Sequence, residues 1–240
     1  MQTETVKKGR LFLFPSLLAD TPAWQVLPRY NIELIAKVKY FVVEELRTAR
    51  RFLKSCDRNI DIDSLSFEVL NEHSGADDVD RMLMPARSGF DIGVISEAGC
   101  PAVADPGADI VSAAHRAGIE VVPLVGPSSI MLALMASGFN GQQFTFLGYL
   151  PIDGAARAAV FRDMERDIRR RRATQIFIET PYRNDRMVAD ICRNFPGDFK
   201  LCVASGLTGS DQRVRTMDVA QWKAADINIG KIPAIFLLFA

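Results

Sequence analysis

The sequence predicts an α/β protein of two lobes, with a mainly parallel sheet in the N-terminal half and a mixed sheet in the C-terminal half. Short β-rich runs alternate with helical stretches through the first half, the pattern of βαβ units. Helix thins out between the later strands, which points to partly antiparallel pairing there. A Gly-Pro-Ser turn at Gly126–Ser128 punctuates the middle of the chain. The lobes are therefore expected at 1–124 and 125–240, with a cleft between them.

The strand-like runs are Leu11–Phe14, Tyr40–Val43, Ile92–Ile95, Glu120–Leu124, Phe144–Phe146, Gln175–Ile178, Lys200–Val203 and Ile232–Phe239. Helical stretches are read at Thr48–Ser55, Val79–Arg87, Ile110–Ala117, Ser129–Ala136, Ala155–Arg172 and Arg183–Asn194. Val214–Met217 adds a further strand-like piece late in the chain.

With 240 residues, 48% hydrophobic and 24% charged, the chain has apolar material for a proper core and no signature of disorder. Lys and Arg number 29, as do Asp and Glu, so a nucleic-acid partner has to be held by a local patch rather than by net charge. The charge run Arg166–Arg172 is one such patch, although consecutive arginines on a helix point to all sides and part of the run must be solvated. Cys56, Cys100, Cys192 and Cys202 are widely spaced, with no metal-ligand pattern and no disulfide framework, so buried reduced thiols and no metal are expected. The stretch from Met1 to Arg10 is polar, and no apolar run approaches the ~18 residues of a membrane span; a soluble, cytoplasmic protein is expected.

The most informative segment is Val94–Gly107, V-I-S-E-A-G-C-P-A-V-A-D-P-G. A strand ends there in a loop of small residues, where main chain can approach a ligand and where α/β folds bind ligands. Its spacing matches neither a dinucleotide fingerprint nor a P-loop. A structural turn, with Asp105 capping the helix after Pro106, would explain it equally. The segment Val122–Ser129 repeats the arrangement, and Ser128 and Ser129 open a helix whose N–H groups suit a carboxylate or a ribose. In Ile176–Arg183 (I-F-I-E-T-P-Y-R), Glu179 and Arg183 follow a hydrophobic strand, either at a cleft edge or as a local ion pair. Ala204–Thr208 follows another strand and Lys231–Ile235 leads into the last one.

Taken together, S-E-A-G-C-P-A-V-A-D-P-G, V-G-P-S-S, S-G-F with F-T-F-L-G-Y-L-P (Ser137 to Pro151), and E-T-P-Y-R resemble the tetrapyrrole methylase family from about Arg10 to Ala240. They are most similar to the branch that methylates a ribose 2′-hydroxyl of small-subunit ribosomal RNA, where the comparable runs read S-D-A-G-T-P, D-P-G, P-G-P-S-A and E-S-P-H-R. Phe41–Leu53 matches that branch's acidic-pair segment, and Asn71-Glu72-His73 falls where it carries a His-Asn element. The chain departs from the branch at Phe14–Asp20, where T-P-I-G-N is usual, and lacks its E-L-T-K element. Gln212-Arg213-Val214 and K-I-P-A-I are closer to the porphyrin and corrin methylating enzymes.

The resemblance implies a two-lobed tetrapyrrole-methylase-like fold, S-adenosyl-L-methionine as cofactor, and a homodimer. It places the cofactor on Ser96, Glu97, Ala98, Gly99, Pro101 and Val103, on Ser128 and Ser129, and on Glu179, Thr180, Gly206, Pro233 and Ala234. Ribose O-methylation of small-subunit rRNA is the leading activity; C-methylation of a tetrapyrrole and cofactor binding without turnover are the alternatives. A ribose hydroxyl is a weak nucleophile, so a base helps. Glu44 is the candidate, with Arg47 to orient it or hold phosphate, against the competing reading of a surface i, i+3 ion pair. His73 and Arg183 are candidates for substrate contact, His73 competing with a plain surface or capping role.

Overall fold

The computed structural model describes residues 7–71, 73–225 and 227–240. The polar N-terminal stretch is thus described only from residue 7 onward, and Glu72 of the Asn-Glu-His element lies outside the described residues. Two compact units emerge, 1–128 and 129–240.

In the first unit the strands are β1 (Arg10–Phe14), β2 (Tyr40–Val43), β3 (Ser66–Val69), β4 (Ile92–Ile95) and β5 (Glu120–Pro123), and the helices are α1 (Ala23–Val26), α2 (Arg29–Ile35), α3 (Leu46–Cys56), α4 (Ala76–Met82), α5 (Met84–Arg87) and α6 (Gly107–Arg116). The strands form one sheet in the order β3-β2-β4-β1-β5, with every pairing parallel. A parallel sheet needs both faces covered, and the alternation of side chains along each strand divides the core in two. Leu11, Val42, Ile92 and Val94 pack with Val79, Met82, Ile110 and Ala114 on one face. Phe12, Phe14, Phe41, Val43 and Ile95 pack with Leu27, Ile35, Phe52 and Leu53 on the other. Gly93 makes room for the aromatic side: a Cβ there would lie 2.7 Å from the Phe41 ring and 3.1 Å from Phe14.

The second unit contains α7 (Ser129–Ser137), β6 (Phe144–Tyr149), α8 (Gly154–Arg171), β7 (Thr174–Ile178), α9 (Asn184–Asn194), β8 (Lys200–Ser205), β9 (Arg213–Asp218), α10 (Val219–Ala224) and β10 (Ala234–Phe239). Its sheet runs β6-β7-β10-β8-β9; β6 and β7 are parallel and the remaining pairs antiparallel. The mixed pairing expected for this half is present. Phe161, Met164 and Ile168 of α8, Met187 and Ile191 of α9 and Trp222 of α10 close over Phe177, Leu201, Val203 and Phe236. Phe177 and Phe236 stack at 5.4 Å between adjacent strands.

Departures from the sequence reading have local causes. The stretch Val79–Arg87 is not one helix: α4 ends at Met82 and α5 starts at Met84, because Pro85 cannot supply the N–H that would continue the ladder. The last strand begins at Ala234 rather than Ile232, since Pro233 lacks a ladder donor. β3 was not anticipated; it is a short, largely exposed edge strand with no continuous apolar signal. The short helices α1, α2 and α10 were likewise not anticipated. Of the cysteines, Cys202 is buried, whereas Cys56, Cys100 and Cys192 are half-buried, and all four are free. Burial pushes the Cys56 thiol up to about 12, which keeps it protonated and unreactive. No helix among the described residues is long and apolar enough to cross a membrane.

The tight fit at Gly93 has a measurable consequence. Gly93→Ala forces a methyl into the Phe41 ring and should cost about 1–3 kcal/mol, whereas Gly141→Ala, with no atom within 4 Å of the added methyl, should stay within roughly 0.5 kcal/mol of the parent. Urea unfolding midpoints decide between them; equal midpoints for the two variants would contradict the packing described.

Candidate functional site

In the first unit all strands point the same way, so the segments after Phe14, Val43, Val69, Ile95 and Pro123 leave from one edge of the sheet. Three of these segments lock together through main chain. The Gly99 carbonyl accepts the Ser16 N–H at 2.8 Å and the Ser96 hydroxyl at 3.2 Å, and the Cys100 thiol donates to the Pro127 carbonyl at 3.5 Å. Gly126 sits so close to Pro15 that a Cβ would be 2.3 Å from the proline ring. Gly126 is therefore required by this three-loop contact, and Gly99 by its positive φ of 79°.

Glu44 is the first residue after β2 and is half-buried at that edge. Its Oε2 accepts the Glu97 N–H at 3.2 Å. Burial holds its carboxyl above the usual range; the Glu97 hydrogen bond opposes this, and the like charges of Glu97 and Asp105 add to it. Glu44 shares a small concavity with Ser96, Pro101, Asp105 and Leu70. The concavity is shallow and open to solvent, far smaller than the ~300–1,000 Å³ of a whole small-molecule site, so it suits one portion of a ligand.

Asp105 is the site residue that sequence reading assigned only to capping. Its Oδ1 accepts the Ala102 N–H at 2.8 Å and the Gly107 N–H at 2.7 Å, so it does secure the start of α6. Its Oδ2 is buried with no hydrogen-bond partner. Burial raises its carboxyl, against those two hydrogen bonds. Between these anchors Ala102 and Ala104 take positive φ, 65° and 62°, a conformation costing about 1–3 kcal/mol that persists only where surroundings impose it. The signal was present in the sequence: an acidic residue directly after a run of small ones, at a strand-end loop.

The remaining first-unit candidates divide by exposure. Ser96, Gly99 and Pro101 are buried in the loop contact, whereas Glu97, Ala98 and Val103 are exposed around it. Arg47 is exposed on the first turn of α3, and no ion pair joins it to Glu44. The i, i+3 reading fails because Glu44 precedes the helix; Glu45 caps it, accepting from the Arg47 and Thr48 N–H groups. His73 is exposed in a turn after β3, where its N–H donates to Asn71 Oδ1 at 2.9 Å. Ser128 closes the first unit and Ser129 opens α7 in the second.

In the second unit, β6, β7 and β8 end where β9 and β10 begin. Glu179 is buried there, with Oε1 accepting the Thr180 N–H at 2.7 Å and the Arg183 guanidinium at 2.6 and 2.9 Å. The pair rigidifies E-T-P-Y-R, and Glu179 thereby neutralises the Arg183 charge. Gly206 donates its N–H to the Pro233 carbonyl at 3.0 Å, and Ala234 pairs with Ser205, so the A-S-G and K-I-P-A segments form one continuous edge. The arginine run lies on α8 and its C-cap, and much of it is neutralised locally: Arg166 pairs with Asp163, Arg169 with Glu165 and Arg171 with Asp167. No cluster able to hold a metal ion occurs among the described residues.

Fold and loops together define the class, an α/β enzyme that transfers the methyl group of S-adenosylmethionine. The chain belongs to the tetrapyrrole (corrin/porphyrin) methylase family, whose model matches residues 27–222. It is 30% identical to a ribosomal RNA small subunit methyltransferase I of Vibrio cholerae serotype O1, over 98% of this chain and 79% of that one. It is 33% identical to a protein of the same name from Micromonospora olivasterospora, over 88% of this chain and 63% of that one. The chain thus spans less than two thirds of the second relative's length. A uroporphyrin-III C-methyltransferase from Thermus thermophilus, solved with S-adenosylhomocysteine, shares the fold with a TM-score of 0.58 at 14% identity, covering 96% of this chain and 97% of that one.

The two raised carboxyls give a pH signature. A group whose folded-state value is raised stabilises the fold below its unfolded value and loses that contribution as pH rises through the folded one. Wild-type stability should therefore drop from this source as pH climbs through and just above the ordinary carboxylate range. The Glu44→Gln, Asp105→Asn double variant keeps acceptor oxygens but cannot ionise, so its advantage over wild type should be larger at pH 7 than at pH 4. Urea midpoints at the two pH values test this, and a pH-independent difference would count against it.

Proposed function

We propose that this protein methylates a ribose 2′-hydroxyl of small-subunit ribosomal RNA, with Glu44 as the base. The observation that carries the reading is the half-buried Glu44 carboxylate, poised above its usual range at the strand-end edge beside the small-residue loop. The names of the two relatives favour this acceptor.

The residues present fit the cofactor. Glu97, Ala98 and Val103 are exposed along the small-residue loop, Asp105 Oδ2 is a buried acceptor without a partner, and Glu44 lines the same concavity. Ser96, Glu97, Ala98, Gly99, Pro101, Val103 and Ser128 are its proposed contacts in the first unit, and Ser129, Glu179, Thr180, Gly206, Pro233 and Ala234 those in the second. The bound cofactor supplies a methyl group on an activated sulfonium leaving group. What the protein adds is placement and proton removal. The Glu44 oxygen not held by Glu97 would take the proton of a ribose hydroxyl as that hydroxyl accepts the methyl group. Glu97 N–H fixes the carboxylate's orientation, and the raised proton affinity of Glu44 makes it a better acceptor than a fully solvated glutamate. Arg47, exposed and free of a Glu44 ion pair, and His73 are proposed to meet the acceptor's phosphate or sugar, with Arg183 held by Glu179. The protein is proposed to act in the cytoplasm as a homodimer, as its family resemblance implies.

Gln212-Arg213-Val214 favours the second reading, a tetrapyrrole acceptor. Labelled S-adenosylmethionine offered with under-methylated small ribosomal subunits or with a uroporphyrinogen separates the two. Label in rRNA ribose is expected; label in the macrocycle would replace the proposal by its alternative. Glu44→Gln should lower turnover on the subunits about 10²–10⁴-fold while cofactor affinity by calorimetry changes little. Unaltered turnover would remove Glu44 from the chemistry.

A further inference from the structure

The geometry points to a base-stacking platform for single-stranded RNA at the strand-end edge of the second unit, built from Tyr149 and Tyr182 with Lys231 and Arg213 beside them. The inference rests on the rRNA reading above and adds where that acceptor is gripped.

Large aromatic side chains normally leave water; two kept in it at one end of one sheet need a reason. Tyr149 is 61% exposed and Tyr182 79% exposed. They follow adjacent parallel strands: Tyr149 ends β6 and pairs in register with Ile178, the last residue of β7, and Tyr182 comes four residues later. Lys231 precedes β10 at the same end and holds its ammonium 5.3 Å from the centre of the Tyr182 ring. Arg213, exposed, opens β9 at that end too.

Both rings are mounted on stiff backbone. The β6 strand breaks register between Phe146 and Tyr149, which re-aims Tyr149. The segment after it is pinned by Arg157, a buried guanidinium that donates to the Pro151 and Ile152 carbonyls at 2.8 Å each and pairs with Asp190. On the other side, Tyr182 sits in a helical turn, Pro181–Arg183, clamped by the Glu179–Arg183 pair. Fully buried Asn184 donates to the Gly230 and Ile232 carbonyls at 3.0 and 2.7 Å, fixing the Lys231 segment against that turn. Rigid aromatics lose little conformational freedom on binding.

Two exposed cations stand beside the rings. Among the carboxylates near this end, Glu179 is neutralised by Arg183, Asp185 is engaged by the Ile229 N–H and Asp153 by the Ala156 N–H, while Asp211 is exposed. Lys231 and Arg213 face solvent. Aromatic rings interleaved with cations suit unpaired bases on a phosphate backbone. A flat macrocycle calls instead for a walled apolar trough, and these rings project into water.

Fluorescence anisotropy with a labelled mixed-sequence RNA decamer tests the platform on the full chain. Tyr149→Ala and Tyr182→Ala should each weaken binding roughly tenfold, whereas Tyr182→Trp, which preserves a stacking face, should hold wild-type affinity. Lys231→Met should reduce the slope of log K against log salt by about 0.7. Calorimetric affinity for S-adenosylmethionine should be the same in all four. Unchanged RNA affinity in both alanine variants overturns the platform, as does equally tight binding of the decamer in duplex form, where base faces are hidden. Loss of uroporphyrinogen binding with RNA binding intact transfers the surface to the other acceptor. Wild-type protein that puts no label into small subunits defeats the parent reading; labelling that persists unweakened in the alanine variants defeats the platform alone.

Discussion

The carbonyl of Gly99 is the point on which the first unit's chemistry turns. Two donors from different parts of the chain, the Ser16 N–H and the Ser96 hydroxyl, converge on it. That convergence is possible only because parallel pairing sends the ends of β1 and β4 out of the same edge. Once the loop after β4 is tied down, Glu97 is placed to hold Glu44 and Asp105 to hold the bent Ala102–Ala104 segment. The dependence runs one way, from strand direction to loop contact to carboxylate placement. Glycine is dictated at Gly126 by how near Pro15 comes and at Gly99 by a backbone φ of +79°.

The first unit spends stability at this edge. Two alanines with positive φ, two carboxylates with raised proton affinity and two buried oxygens without a partner, Asp105 Oδ2 and Ser16 Oγ, sit in the segments that leave this edge. Each is unfavourable alone. The aromatic half of the core, with Phe12, Phe14 and Phe41 almost wholly buried, offsets them. Strain of this kind persists only where the surrounding structure over-determines the backbone, as the three-loop contact does here.

How much of this was legible in the sequence follows from the range of the interactions. Strands β2 and β4 were read with their observed limits, because four consecutive β-branched, aromatic or glycine residues bounded by polar ones leave little choice. β3 escaped because an exposed edge strand buries too little to impose a pattern, α1 because Pro22 and Pro28 leave it a single turn, and α2 because it runs only seven residues beyond Pro28. The loops of the site were legible as motifs. Asp105 was marked as an acidic residue after small ones at a strand-end loop, but its Oδ2 is orphaned by what the fold packs around it, and no local spacing encodes that. The Glu44–Arg47 ion pair was misleading for a related reason, since i, i+3 spacing acts only if both residues are helical and the helix starts after Glu45.

The second unit solves a different problem with the same device. Its buried charges, Arg157 paired with Asp190 and Glu179 paired with the half-buried Arg183, lie in or beside the segments that leave the sheet at one end. Buried ion pairs are poor sources of net stability, because desolvation consumes most of the attraction. Their use here is better understood as positional: a guanidinium fixed by a carboxylate can still donate to two carbonyls, as Arg157 does, and so sets a loop that carries no regular hydrogen bonds of its own. Replacing the pair by apolar residues could keep the unit folded and still release Pro151 and Ile152. By this logic the conformation of the exposed residues at that end, rather than the unit's stability, is what those charges maintain.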